Sequence, residues 1–349
     1  MNLFKDKDSG VLLIYTGGTI GMKEDPQSGT LKPFDFNALM EEVPELRKFA
    51  TRIDSYTFNP PIDSSDVEPS LWVSLAHLIE QEYNHYDGFV VLHGTDTMAY
   101  SASALSFMID DLGKSIVFTG SQLPIGSLRT DGRENLISAV EIASSKDSKG
   151  HSMVPEVCIC FNSGLYRGNR SRKINATGFD AFTSPNYPQL ATAGINIKYN
   201  YGYIHYPERW DAGITVHDEL DTRVSILKIH PGITRQAVRD ILLGEGSRAV
   251  IMETYGSGNA PSSPWFLELV SEASRSGKIL LNVTQCLSGD VNMDIYATGK
   301  SLKEAGVISG YDITTESALG KLFSLMGRYK DNSRVKTLLE MNLKGEISK

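Results

Sequence analysis

At 349 residues the chain exceeds the size at which one hydrophobic core stops growing, so two domains are expected. Its 42 acidic and 34 basic side chains leave no cation excess to displace counterions from a nucleic acid, which argues against a nucleic-acid partner. Three cysteines are too few for a disulfide scaffold, and no apolar run approaches the roughly 18 to 20 residues of a membrane span. The opening MNLFKDKDSG lacks the apolar core of a signal peptide, so a cytoplasmic protein with no membrane partner is expected.

In chain order the pattern is a short apolar strand, a Gly- or Thr-containing loop, then a helical period. The first strand is Val11 to Tyr15, and a helix runs from about Pro69 to Tyr83, with Pro69 tolerated in its first turn. The strand Gly88 to Leu92 leads into a helix between Thr97 and Leu112. There Met98, Ala102, Leu105, Ile109 and Leu112 share one face, and Thr97 or Asp96 would cap the start. Strand Ser115 to Thr119, helix Arg133 to Ser144 and strand Val157 to Phe161 continue the alternation. Later strands at Val224 to Lys228, Ala249 to Met252 and Ile279 to Val283 alternate with helices near Thr234 to Leu243, Ser263 to Ser276 and Glu316 to Tyr329. Short strands apolar on both sides suit a sheet covered on both faces, joined by helical crossovers, so the fold class is α/β.

The segment from about Lys198 to Thr222, with YNYGYIHYPERWDAG inside it, carries no sustained period and is rich in Tyr, Gly and Pro. A domain junction is placed there, the alternative being a long surface hairpin within one domain. The division is an N-terminal catalytic domain over 1–205, a linker over 206–222 and a C-terminal domain over 223–349.

In open α/β sheets ligands bind beyond the carboxyl ends of the strands. Three loops there are read together: TGGTIG after Tyr15, GTDTM after His93, and GSQLPIG from Gly120. A hydroxyl needs an activating base or a nearby cation before it attacks at neutral pH. Gly17, Gly18 and Gly94 let the backbone approach a substrate closely, where its N–H groups can polarise a carbonyl oxygen. Together these features outline an acyl-transfer site. A phosphate cradle fits less well, because TGGTIGM lacks the Gly-Lys-Ser/Thr end of a P-loop and Pro26 and Gly29 follow where a helix is needed. Taken alone, TGGT also reads as a Gly turn with a capping Thr.

The basic run RGNRSRK, Arg167 to Lys173, is ordinarily a solvated loop. Lys173 is its one member whose pKa burial beside other cations would lower enough for a base. The seven histidines form no helical pair at three or four spacing, and His93 reads as a packed core residue, so no metal site is expected. Cys158 and Cys160 share one strand face, where packing is the plain reading and a metal or redox pair the alternative. Cys286 is an equally plain thiol.

YTGGTIGM, DGFVVLHGTDTMAYSASALSFM, TGSQLPIGSLRTDGRENL, LYRGNRSRK with GFDAF, YGSGNAP and NVTQCLSGDVNMDIYATG together resemble the bacterial-type L-asparaginase family, and within it the cytoplasmic type I enzymes. The resemblance covers nearly the whole chain. It implies a larger N-terminal domain with a mostly parallel sheet flanked by helices, a smaller C-terminal α/β domain, and a homodimer or homotetramer. It implies hydrolysis of L-asparagine to L-aspartate and ammonia, with minor glutaminase activity and no cofactor. Thr19 matches the family's nucleophile, and Thr95, Asp96 and Lys173 match its second catalytic constellation. Asp96 would also hold the substrate α-ammonium and Ser64 its α-carboxylate. Gly18, Gly94, Ser65 and Ser121 match further substrate contacts, and Asn259 a contribution from the subunit interface.

Two departures stand out. Relatives place a Tyr on the loop after the first Thr, near Thr30, whereas SGTLKP has none. Some type I enzymes have an allosteric asparagine site built on the Cys of TQC; Cys286 matches it, but Glu253 stands in the position of an Arg and Arg172 in that of a Thr, so this regulation is not expected. The loop from about Gly21 to Pro33 is expected to act as a mobile lid. Two other readings compete. One is the related glutamyl-tRNA amidotransferase, disfavoured by the acidic balance and by the lack of an extra domain before Val11. The other is a non-catalytic amino-acid sensor, which would gain nothing from keeping Lys173 and both Thr residues.

Overall fold

The computed structural model describes residues 10–24, 31–33, 36–210 and 212–349. The chain divides into two compact units, with the break between Val216 and His217.

In the first unit, the described residues form a sheet of eight strands. Five are parallel and run, from one edge inward, Arg52–Thr57, Gly10–Tyr15, Gly88–Leu92, Ser115–Thr119 and Val157–Phe161. Gly164–Arg167, Ala191–Thr192 and Lys198–Tyr199 then extend it antiparallel. The strand order of the parallel part, numbered by sequence, is 2-1-3-4-5. It reverses between Gly10–Tyr15 and Gly88–Leu92, the crevice where ligands bind in sheets of this order.

Both faces of the sheet are covered. Val11, Leu13, Val90, Leu92, Val117, Cys158 and Cys160 pack with Leu136, Ala139, Val140 and Ala143 of the helix Gly132–Ser144. The alternate residues Leu12, Ile14, Phe89, Val91, Ile116 and Phe118 are buried as well, as two-sided coverage requires. The two strand cysteines are free thiols in that core, and burial pushes Cys160 up to about 12 and Cys158 well above its usual range, so packing is their role.

Two local expectations are corrected. The helix after Gly88–Leu92 ends at Met108, so Ile109 and Leu112 are not on its face. Ile109–Asp110 instead pairs antiparallel with Thr215–Val216, and Asp111 then takes a left-handed φ of 58°. Thr97 is the residue before that helix, but its hydroxyl makes no cap and donates to the Ser64 carbonyl at 2.6 Å. The lid expected over Gly21 to Pro33 lies partly outside the described residues, as does Thr30. Of that segment, Met22–Glu24 pairs antiparallel with Leu31–Pro33.

The second unit is a four-stranded parallel sheet in sequence order, Val224–Lys228, Ala249–Thr254, Ile279–Thr284 and Ile308–Ser309. Helices Arg235–Leu243, Pro264–Arg275 and Ala297–Glu304 pack on one face, and Thr315–Arg328 and Asn332–Leu339 on the other. A buried Lys321–Glu346 ion pair, 2.6 Å apart, ties the last residues to this unit, with Lys321 also donating to the carbonyls of Leu339 and Met341.

Candidate active site

Two parallel neighbours end side by side, with Tyr15 opposite Leu92, and their loops leave the sheet together at the switch point. Thr16 fastens the first loop to the second strand, both its amide and its hydroxyl reaching the Leu92 carbonyl at 3.0 Å. Its own carbonyl accepts from the Ile62 amide at 2.8 Å, bringing the DSSD segment alongside.

Glycine makes this approach possible. At Gly18, where φ is 88°, a Cβ would lie 2.4 Å from the Gly94 nitrogen. At Gly94 it would lie 2.4 Å from the Ser64 hydroxyl oxygen. No side chain fits either gap, so Gly18, Gly94 and Ser64 meet backbone against backbone and hydroxyl. Thr19 follows Gly18 on a single 3-10 turn, Thr19–Gly21, and is half-buried.

The basic run does not stay in solvent. Gly164–Arg167 is an inner strand, and Arg167 forms a two-pronged ion pair with Glu156 at 2.5 and 3.1 Å in which both side chains are buried. Arg170 is buried too, its guanidinium 5.0 Å from the centre of the Tyr187 ring. Arg172–Lys173 then pairs antiparallel with Phe182–Thr183. That short ribbon brings the Lys173 ammonium within 2.8 Å of the Thr95 hydroxyl and 2.6 Å of the Asp96 carboxylate. Lys173 therefore faces an acid and a hydroxyl, where the sequence suggests other cations.

Gln122 completes the cluster and does not stand out in the sequence. Its side-chain oxygen accepts from the Thr95 hydroxyl at 3.3 Å and its amide donates to the Gly178 carbonyl at 2.9 Å. Asp131 holds the Gln122 backbone amide with both carboxylate oxygens, at 3.0 and 3.1 Å. The loop GSQLPIG carries the signal, but nothing in its spacing separates Gln122 from Ser121. The Ser121 hydroxyl turns back to the Leu123 carbonyl at 2.5 Å. Ser65 gives its amide and its hydroxyl to Asp63, each at 2.8 Å. Asn259 lies in the second unit, where its side chain accepts from Thr298 at 2.7 Å.

His93 is fully buried at the strand end. Its Nδ1 lies 2.7 Å from the Gly94 carbonyl, an acceptor only, so Nδ1 carries the proton. Nε2 then accepts from Ser101 at 3.0 Å, and Ser101 accepts from the Trp72 indole at 2.8 Å. Burial pulls the His93 pKa down to about 4, so this relay is neutral at physiological pH. It orients the Gly94 carbonyl in front of Thr95. The described residues contain no group of three His, Cys, Asp or Glu side chains placed to hold a metal ion.

In the second unit, the Glu253 carboxylate sits at a strand end and accepts from Thr315 at 2.7 Å and from Lys228 at 3.1 Å. Cys286 is exposed.

A doubly wound sheet whose switch-point loops gather hydroxyls, an ammonium and a carboxylate is the architecture of a two-domain amidohydrolase. The family models match it in two parts: Asparaginase, N-terminal, over residues 10–205, and Glutaminase/Asparaginase C-terminal domain over residues 223–339. The chain belongs to the asparaginase family. It is 43% identical over 347 residues to L-asparaginase 1 of Escherichia coli (strain K12), covering 97% of this chain and 98% of that protein. The structure of L-asparaginase I from Vibrio cholerae superposes with a TM-score of 0.87 at 40% identity, covering 97% and 99% of the two chains. The thermostable L-asparaginase from Thermococcus kodakarensis superposes with a TM-score of 0.88 at 31% identity, again covering 97% and 99%.

Proposed function

We propose that the protein hydrolyses the side-chain amide of L-asparagine to L-aspartate and ammonia, with Thr19 as nucleophile and Thr95, Lys173 and Asp96 as the proton-handling group. The observation that carries this reading is the Lys173 ammonium bridging Thr95 and Asp96 at 2.8 and 2.6 Å, on the loop packed against the one bearing Thr19. Attack by the Thr19 oxygen on the amide carbon gives a tetrahedral oxyanion; the hydroxyl proton passes to the amide nitrogen, and collapse then breaks the C–N bond, expels ammonia and leaves a Thr19 ester. Water aligned by Thr95 then attacks that ester; its proton is relayed through the Thr95 hydroxyl and Lys173, which passes one on to Asp96, and a proton returns to the Thr19 oxygen as the ester bond breaks.

Asp96 serves two partners. Its Oδ1 takes Lys173, and Oδ2 is left for the substrate α-ammonium, on a side chain 64% exposed and therefore open to an entering amino acid. Ser64, buried against Gly94, takes the α-carboxylate, and Gly18, Gly94, Ser65 and Ser121 line the remaining substrate contacts. Glutamine is longer by one methylene, a difference worth only about 1 to 3 kcal/mol, so weak glutaminase activity is expected.

The free thiols of Cys158, Cys160 and Cys286 support a cytoplasmic location. Among the described residues no helix is long and apolar enough to cross a membrane. A homodimer or homotetramer, with Asn259 contributing at the subunit interface, completes the reading and is checked by sedimentation. The deciding experiment is ammonia release from asparagine. Thr19→Ala, Thr95→Val and Lys173→Met should each lower turnover by several powers of ten. Near wild-type turnover in both threonine variants would sink the mechanism.

A further inference from the structure

Thr19 sits on one short turn, and a hydroxyl that must attack a bound amide needs that turn held still. The structure supplies a tether from below. Tyr15, the last residue of the first strand, is 6% exposed, and its hydroxyl lies 3.2 Å from the Gly18 carbonyl oxygen and 3.3 Å from that of Gly21. Those two carbonyls bracket Thr19. They are also the two ends of the turn, which the Gly21 amide closes by donating to Gly18 at 3.3 Å.

We infer that Tyr15 is a positioning residue for Thr19: its hydroxyl, shared between the Gly18 and Gly21 carbonyls, fixes the turn that presents the reactive oxygen. This rests on the reading of Thr19 as nucleophile. Packing alone would be satisfied by a phenylalanine, since Tyr15 belongs to the same apolar cluster as Val11 and Leu13. The added hydroxyl must find a partner where it is buried, and the two carbonyls around Thr19 are the partners it has. Burial pushes its pKa up to about 12, so it stays protonated as a donor and is not the base that activates Thr19.

The ring contributes as well. A Cβ on Gly21 would lie 2.4 Å from two ring carbons of Tyr15, so the turn rests directly on the ring. On its other side Gly18 is in contact with the Gly94 backbone. The turn is thus pinned between the ring and the second loop by described residues alone. A misplacement of about 1 Å at a reacting atom costs on the order of 100-fold in rate.

The test is Tyr15→Phe, which keeps the ring and removes the tether. We expect kcat to fall about 10- to 100-fold with KM within about twofold of wild type. Calorimetric titration with aspartate should still count one product site per chain, which separates mispositioning from a misfolded fraction. Gly21→Ala lifts the turn off the ring while leaving Tyr15 in place, and should show the same split; it carries the test if Tyr15→Phe fails to fold. Wild-type kcat in these variants, or a loss of aspartate sites in proportion to the loss of rate, would overturn the inference. Thr19→Ala is run alongside. If it keeps wild-type turnover, the nucleophile assignment has failed; if it is inactive while Tyr15→Phe is unaffected, only the tether has failed.

Discussion

His93 makes the first unit sensitive to acid in a calculable way. Its pKa is about 4 in the fold against 6.5 for a free histidine, because burial disfavours the imidazolium. The unfolded chain therefore binds a proton near pH 6.5 that the folded chain refuses until about pH 4. Stability from this residue is fully present above pH 6.5, is lost as pH falls through the window, and levels off below about 4. The full swing is about 3 kcal/mol, and most of it, roughly 2 to 3 kcal/mol, is gone at pH 4.5. Of the three tryptophans, Trp72 and Trp210 lie in the first unit and Trp265 in the second, so a Trp265→Phe background makes fluorescence report the first unit alone. Urea unfolding followed this way from pH 7.5 to 4.5 should lose stability more steeply in the wild-type chain than in His93→Asn. The difference in slope should correspond to about one proton, since the carboxylates are common to both chains. Parallel pH curves for the two chains, or a His93 ring resonance titrating near pH 6.5 in the folded protein, would refute the assignment.

Four further outcomes are expected. Gly18→Ala places a Cβ 2.4 Å from backbone at a φ of 88°, so it should abolish activity and cost about 2 kcal/mol or more in unfolding experiments. Gly246→Ala, with nothing within 4 Å, should stay within about 0.5 kcal/mol. Glu156→Gln breaks a buried ion pair with Arg167, the last residue of the strand leading to Lys173, and should destabilise by about 3 kcal/mol, read as a lower denaturant midpoint. Asparagine saturation should be hyperbolic, with a Hill coefficient of about 1, because Glu253 is already engaged by Thr315 and Lys228; a sigmoidal curve that Glu253→Gln alters would overturn that.

Much of the fold is legible because its strands are short, apolar and buried on both sides. Gly88–Leu92, Ser115–Thr119 and Val157–Phe161 fall on the predicted residues; Val224–Lys228 does so too, although as an edge strand it buries only Leu227. The edge strand Arg52–Thr57 escapes a reading of pattern because RIDSYT has one covered side at most and no apolar run, its place set by pairing with Gly10–Tyr15. The helix Met98–Met108 reads as one-faced, yet ten of its eleven residues are buried, so periodicity cannot mark where it ends.

The site divides along the same line. Hydroxyls, acid and lysine on Gly-rich loops look unlike core, and Thr95, Asp96 and Lys173 stand out in the sequence for that reason. The residues that hold those loops do not. Tyr15 and His93 read as core because each continues an apolar strand, and their polar atoms matter only through the carbonyls they meet, Gly18 and Gly21 for one and Gly94 for the other. Thr119 is a third case, its hydroxyl donating to the Cys160 carbonyl at 2.8 Å from the end of the next strand. A residue at a parallel strand's carboxyl end has its body in the core and its tip beneath a functional loop. In a sheet of this order, a buried tyrosine, histidine or threonine at that position should therefore be tested as support for the site before it is assigned to packing.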